Sequence, residues 1–323
     1  MRIEKNAPIE TVDKNKMVCT VPAEEVARVK GMGGLWDKRT PNCFNFRILT
    51  VNGKVTGEKL AAIAQAAEKF GSGEAAMTSR QTIEIQSVPY ENIDAMCAFL
   101  AQYGLAPGGT GPKVRPVVSC KGTSCQYGLI DTFGLSEKIH HRFYEGYHGV
   151  RLPHKFKIAV GGCPNNCVKP SLNDLGIVGQ RVPVQDLDLC KGCKKCQIEA
   201  ACPIHHAKVV DGKLSTDPEV CKNCGRCVGK CPFGVTDRFI GGYRVYLGGR
   251  WGKDFAHGIP MERLFTSEEE VLSAVEKAIL LFKDQGVAGE RFSNTIARIG
   301  FEEACRLIEG DSLLQRKEEI LNK

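Results

Sequence analysis

Residues 152–167 read LPHKFKIAVGGCPNNC, a strand pattern bearing two lysines that leads directly into a loop of candidate metal ligands. The first half alternates. On a strand, Lys155 and Lys157 share one face while Phe156, Ile158 and Val160 bury on the other. Two neighbouring ammonium groups repel each other unless they face solvent or a bound anion. In the second half, Gly161-Gly162 leads into Cys163-x3-Cys167, and Cys120-x4-Cys125 lies upstream. Four thiols in two close pairs suit an iron–sulfur cluster, a structural zinc or plain core packing, and spacing leaves all three open.

Outward from that stretch, composition narrows the choice. The chain has 323 residues, 42% of them hydrophobic and 25% charged, which is ordinary for one large domain or a few smaller ones. No apolar run approaches the ~20 residues that cross a bilayer, and the opening MRIEKNAPIE has no apolar core of a secretory signal. A cytoplasmic protein that spans no membrane is expected. The 16 cysteines are out of proportion, and 12 of them lie in close runs. In a reducing compartment such runs point to metal rather than to disulfides. The formal charge of +7 is scattered, with no basic block or aromatic-basic stripe, so bound anionic cofactors account for it better than nucleic acid.

The patterning predicts an α+β chain. Phe44, Phe46 and Ile48 alternate as a strand before the Asn52-Gly53 turn. Residues 58–70 repeat apolar positions at helical spacing and stop at Gly71. A strand over Met77–Gln86 and a helix over 91–103 complete a ferredoxin-like unit, residues 1–106, while the Gly31–Gly34 run reads as loop. Residues 107–184 and 236–323 form a second domain with strands at Val114–Ser119, Lys155–Val160, Ile177–Gln180 and Tyr243–Leu247. Two helices close it. The first starts at Ser267, with Glu270 completing a capping box, and the second covers 290–308.

Residues 185–235 read as an insertion with a different character. Cys190-x2-Cys193-x2-Cys196-x5-Cys202-Pro precedes Cys221-x2-Cys224-x2-Cys227-x3-Cys231-Pro. This resembles the bacterial two-cluster ferredoxins, with a first half two residues longer than their usual spacing. In them the fourth thiolate of each run serves the other cluster. The resemblance therefore implies one [4Fe-4S] cluster on Cys190, Cys193, Cys196 and Cys231, and another on Cys221, Cys224, Cys227 and Cys202. Zinc would ask for two pairs rather than two triplets with a remote fourth. His205 and His206 are expected to be exposed loop residues.

The rest of the chain resembles the sirohaem-dependent sulfite and nitrite reductases. The likeness rests on LPHKFKIAVGGCPNNC, on CKGTSC at 120–125, on Met77-Thr78-Ser79-Arg80-Gln81-Thr82, and on Asn45-Phe46-Arg47. With the insertion, it is nearest to the catalytic subunit of the anaerobic sulfite reductases. The resemblance implies a third [4Fe-4S] cluster on Cys120, Cys125, Cys163 and Cys167, with Cys167 also the axial ligand of the sirohaem iron. It assigns the substrate anion to Arg47, Arg80, Lys155 and Lys157. Arg115, Arg250, Asn165 and Asn166 are candidates around the macrocycle and its carboxylates. Many members place five residues between the first two cysteines, where this chain has four. Three clusters and one sirohaem would bring the net charge from +7 to about −7.

Six-electron reduction of sulfite to sulfide is the expected activity. Nitrite reduction to ammonia at the same site is the alternative, and an electron carrier without sirohaem is a third reading. No nucleotide-binding glycine motif occurs, so partner subunits with flavin and iron–sulfur centres are expected to supply electrons. The larger reductases use two pseudo-repeated halves where this chain has one; a homo-oligomer, a partner subunit and a self-sufficient enzyme all remain open.

Overall fold

A computed structural model of the chain describes residues 19–323, so the N-terminal stretch read for a targeting signal lies outside the described residues. The chain divides between Gly111 and Pro112 into two units.

In the first unit the elements run α1 (Ala23–Met32), β1 (Gly34–Trp36), β2 (Cys43–Ile48), α2 (Gly57–Phe70), β3 (Ala75–Met77), β4 (Ile83–Pro89) and α3 (Ile93–Ala101). The sheet has the order β1-β2-β4-β3, antiparallel throughout. Phe44, Phe46 and Ile48 of β2 join Ile83, Ile85 and Val88 of β4 beneath Ile63 and Ala67 of α2 and Met96 and Leu100 of α3. Each of the larger of these side chains contributes roughly 1.5–3 kcal/mol on leaving water. The strand expected over Met77–Gln86 is instead a hairpin. Its turn is closed by the Thr78 amide donating to the Thr82 carbonyl at 2.9 Å, with Gln81 at φ +59°. The glycine run expected as loop belongs partly to α1, which the sequence reading passed over.

The second unit is built on a five-stranded sheet of order β11-β10-β7-β6-β5. Its strands are β5 (Val118–Ser119), β6 (Ile158–Gly161), β7 (Leu175–Val184), β10 (Arg238–Leu247) and β11 (Ile259–Pro260). β5, β6 and β7 run parallel, and β10 returns antiparallel along all of β7. Between the paired ends of β7 and β10, residues 185–237 leave and return. This excursion carries eight cysteines, α5 (Gln197–Ala201) and a two-stranded ribbon of β8 (Lys208–Val210) and β9 (Lys213–Ser215).

The remaining helices are α4 (Thr132–Ile139), α6 (Glu268–Gln285), α7 (Phe292–Ile299), α8 (Phe301–Glu309), α9 (Ser312–Gln315) and α10 (Lys317–Asn322). The capping box is present at Ser267 and Glu270, and α6 buries Val275, Ile279 and Phe282. The ring of Phe282 lies 5.9 Å from Phe156 and 5.4 Å from Phe292. Its buried Glu276 is satisfied by Tyr147 at 2.7 Å, Arg142 at 3.1 Å and Lys317 at 2.8 Å. The single helix expected over 290–308 is two, broken at Gly300, whose φ of +92° no helix can hold. Two strands are shorter than expected. Pro116 has no amide for a ladder, so β5 begins at Val118. The amides of Lys155 and Lys157 are taken by the His154 ring at 2.7 Å and the Asp174 carboxylate at 2.9 Å, and β6 begins at Ile158. No helix among the described residues is long and apolar enough to cross a membrane.

Candidate functional site

The carboxyl ends of the adjacent parallel strands β5 and β6 deliver one set of thiols. Cys120 follows β5, and a 3-10 turn at Gly122–Ser124 carries the chain to Cys125. Cys163 and Cys167 follow β6 through Gly161 and Gly162. Strand pairing holds the two loops together: the Cys120 amide donates to the Val160 carbonyl at 3.0 Å, and the Gly162 amide to the Cys120 sulfur at 3.1 Å. A methyl group at Gly162 would come within 2.8 Å of the Gly122 backbone, so only glycine permits this approach. Burial pushes the Cys163 thiol up, and the neighbouring Cys120, Cys167 and Cys125 add to that. Four mutually repelling thiolates make chemical sense around a multinuclear cation. Among the described residues, no three Cys, His, Asp or Glu side chains converge as they would on one ion.

In the excursion, Cys227 is pushed up to about 11 by burial and by Cys221, Cys224 and Cys202. Cys190, Cys196 and Cys231 pack, with Cys202 and Cys227, on a small core of Ile198, Ala207, Leu214 and Val235. Several sulfurs receive backbone hydrogen bonds: Leu214 donates to Cys190 at 3.3 Å and His206 to Cys202 at 3.4 Å. At Cys202 burial acts upward, but the amides of Ala207, His206, Ile204 and His205 outweigh it and lower the thiol. The His206 ring accepts the Asp217 amide at 2.9 Å. A cleft of about 620 Å3 joins the two thiol regions, with Cys163 and Asn165 on one wall and Cys224, Arg226 and Lys230 on the other. A second, of about 280 Å3, is lined by Pro164, Asn165, Cys202, Cys221, Cys224 and Cys227 among others. Asn165 and Asn166 are both exposed, Asn166 at φ +59°.

The cations gather elsewhere in the same unit. Lys155 and Lys157 precede β6, Asp174 precedes β7, and Arg250 follows β10, whose end is opposite the start of β7. All four therefore lie at the edge of the sheet opposite to the thiol loops. Burial, with Arg291 and Arg115, lowers the Lys155 ammonium, while Asp174 opposes the shift. His154 is lowered by burial and by Lys155, Arg291, Arg115 and Arg250 together. Arg250 donates to Asn294 at 3.1 Å and pairs with Asp254.

Arg291 and Asp174 were not singled out from sequence. Arg291 grips the fully buried Asp174 carboxylate at 2.9 and 3.0 Å, across 117 residues of chain. Burial pushes the Asp174 carboxyl up, against the pull of Arg291 and the Lys157 amide. No local pattern marks that pair. The buried Arg291 Nε and Ser293 Oγ make no hydrogen bond. A crowd of cations with an unpartnered buried N–H fits a ligand rich in carboxylates, as the four-thiol sets fit cubane clusters.

The remaining two cations belong to the first unit. Arg47 lies across β2 and β4 from Glu84 and pairs with it at 3.1 Å. Arg80 sits in the β3–β4 turn, its amide donating to the Thr78 hydroxyl at 3.3 Å.

The sequence matches two family descriptions: "Nitrite/Sulfite reductase ferredoxin-like half domain" over residues 37–103, and "Nitrite and sulphite reductase 4Fe-4S domain" over residues 110–315. An uncharacterized protein of Methanocaldococcus jannaschii is 31% identical, covering 81% of this chain and 89% of that one. The coenzyme F420-dependent sulfite reductase of the same organism is 29% identical over 76% of this chain and 38% of its own. One of the subunits of the anaerobic sulfite reductase of Salmonella typhimurium is 33% identical over 44% of each. This chain thus spans less than half the length of those two. The crystal structure of dissimilatory sulfite reductase I superposes with a TM-score of 0.65 at 21% identity, covering 83% of this chain and 69% of that one, and so shares the fold. A match over residues 110–315, more than half of the chain, and a relative aligned over most of its own length lead to one conclusion: this chain belongs to the nitrite and sulphite reductase 4Fe-4S domain family.

Proposed function

We propose that the chain reduces sulfite to sulfide in the cytoplasm, at a sirohaem and a [4Fe-4S] cluster that Cys120, Cys125, Cys163 and Cys167 would hold, Cys167 serving both. The observation that carries this reading is the four-thiol set at the ends of β5 and β6, accompanied in the same unit by the half-buried cations Arg115, Lys155, Arg250 and Arg291. Sirohaem presents eight carboxylates, which asks for such cations. The two ferredoxin-type clusters would sit on the eight cysteines of residues 190–231. The clefts beside Cys224, lined also by Pro164 and Asn165, support reading that excursion as the approach to the coupled centre.

When bound, sirohaem and its cluster would pass the six electrons of the reaction, received from an external donor, to the bound anion. Six protons must also arrive as three oxygens leave as water. The chain's own residues serve that half of the chemistry. Lys155 and Lys157 would polarise the S–O bonds of a bound oxyanion, and the forked N–H groups of Arg47 and Arg80 are of the kind that binds one. The lowered Lys155 ammonium gives up a proton more readily than an ordinary lysine. Asn165 beside the cysteines and Arg115 and Arg250 among the cations would hold the macrocycle. Electrons would come from partner subunits with flavin and iron–sulfur centres. Sulfite is favoured over nitrite because the F420-dependent sulfite reductase aligns over 76% of this chain, whereas a nitrite reductase large subunit of Klebsiella oxytoca aligns over 39%.

The test is the visible spectrum of anaerobically purified protein from cells with ample sirohaem. Sirohaem bands above the iron–sulfur background, with about 13 irons per chain, are expected from three cubes and one haem iron. An iron–sulfur background alone would leave the electron-carrier reading in its place. The ratio of kcat/KM for sulfite and nitrite then fixes the substrate.

A further inference from the structure

We infer that Tyr127 and Arg226 are positioning residues for electron transfer, bracing the loop of Cys221, Cys224 and Cys227 against the loop of Cys120 and Cys125. The inference rests on the function proposed above and concerns two side chains that ligate nothing. The Arg226 guanidinium lies over the Tyr127 ring, 4.3 Å from its centroid. Tyr127 comes two residues after Cys125, and Arg226 stands between Cys224 and Cys227. One contact therefore joins the two cluster-bearing loops directly. Both side chains are exposed, so burial does not force them together. Both also line the cleft of about 620 Å3 that Cys163 and Cys224 share. A second tie holds the other end of the excursion's loop. The Arg181 amide of β7 donates to the Asn223 carbonyl at 2.8 Å, and Arg181 bridges to Cys224. Its guanidinium lies 4.7 Å from the Phe239 ring of β10. A loop pinned only there could swing about the pin. Arg226 on Tyr127 supplies the second point that fixes it.

The same geometry orders the two excursion clusters. Cys202, Cys221, Cys224 and Cys227 line the clefts that reach Pro164 and Asn165, whereas Cys190, Cys193, Cys196 and Cys231 line neither. The first set is the inner one and the second the outer. An external one-electron donor is oxidised at the outer cluster. Each electron then passes to the inner cluster and across the cleft to the coupled one, and every donor loses the single electron its acceptor gains. Transfer through protein falls steeply with distance, so the width of that cleft governs the last step. A cation–π contact between exposed side chains favours the closed arrangement about two- to fivefold over an open one.

Tyr127→Leu in the holoenzyme tests this, because it removes the ring and changes no charge. After rapid anaerobic mixing with dithionite, the sirohaem bands should reduce about two- to fivefold more slowly than in the wild type. The midpoint potentials of the clusters should stay where they were. Frozen, fully reduced protein should show weaker magnetic coupling between clusters in its electron paramagnetic resonance spectrum, a readout independent of turnover. Tyr127→Phe keeps the ring and should match the wild type. Arg226→Gln should slow reduction as Tyr127→Leu does, and the two together should be no slower than either alone. Unchanged rate and coupling in Tyr127→Leu would overturn the inference. So would additive slowing, or a potential shift large enough to account for the rate. If Tyr127→Leu binds less iron than the wild type, Arg226→Gln carries the same readouts, and iron loss in both overturns the brace. Wild-type protein without sirohaem bands would defeat the function itself, and its spectrum before mixing separates that failure from a failure of the brace.

Discussion

Arg291→Met removes the guanidinium from the one buried ion pair that underlies the Lys155–Lys157 segment. Asp174 is wholly buried and Arg291 is 11% exposed, so water reaches neither group freely. After the substitution the Asp174 carboxylate keeps the Lys157 amide at 2.9 Å and loses two charged hydrogen bonds. Breaking a buried pair from one side costs about 3–5 kcal/mol. For a unit of this size each kcal/mol moves the thermal midpoint by about 2–4 °C, so a fall on the order of 10 °C is expected. Asp174→Leu combined with Arg291→Met removes both charges. It should recover most of the loss, leaving about 1–3 kcal/mol for the orphaned Lys157 amide.

The pH dependence has a definite sign. In Arg291→Met the buried carboxyl titrates above its unfolded value, so the folded state binds a proton that the unfolded state has released. Stability then falls as pH rises from the ordinary carboxylate range through the raised value, and the deficit is larger at pH 8 than at pH 5. Anaerobic circular-dichroism melts at one scan rate measure all of this, since loss of clusters makes unfolding irreversible. A shift below about 2 °C for Arg291→Met, or a double variant as unstable as the two singles added together, would refute the reasoning.

Three further outcomes follow from other sites. Cys227→Ser should lower iron by about four atoms per chain while the sirohaem bands persist, because Cys227 gathers with Cys221, Cys224 and Cys202 and not with the coupled set; iron analysis and the spectrum check it. Ser267→Ala should lower the thermal midpoint by about 2–4 °C, the equivalent of about 1 kcal/mol for a lost cap on α6. His154, held below its usual range by burial and four cations, contributes stability above the unfolded value of 6.5, and that contribution is lost as pH falls toward the folded one. The wild-type midpoint should therefore drop more between pH 7.5 and pH 5 than that of His154→Gln.

Much of this molecule is legible along the chain because its chemistry is local. Thiols two or three residues apart share a loop in any fold, and the Ser267–Glu270 cap needs only one helical turn. The alternation from Phe156 to Val160 separates the buried residues from the lysines without reference to any other element: Phe156 and Ile158 are fully buried and Lys155 and Lys157 are not. Competing local geometry and one tertiary contact defeated some expectations: Pro116 and the left-handed Gly300, and the Asp174 carboxylate reaching Lys157, each end an element that periodicity would continue.

What tertiary structure alone decided is the relation between distant pieces. Asp174 and Arg291 meet across 117 residues, and neither stands in a motif. The closeness of Lys157 and Cys163 in the sequence suggested one constellation, yet a strand is a spacer: it carries its two ends apart by about 3.3 Å per residue and gives each a different neighbourhood. Composition and spacing determined which chemical groups this protein brings. The direction of β6 in its sheet decided which of them meet within one chain.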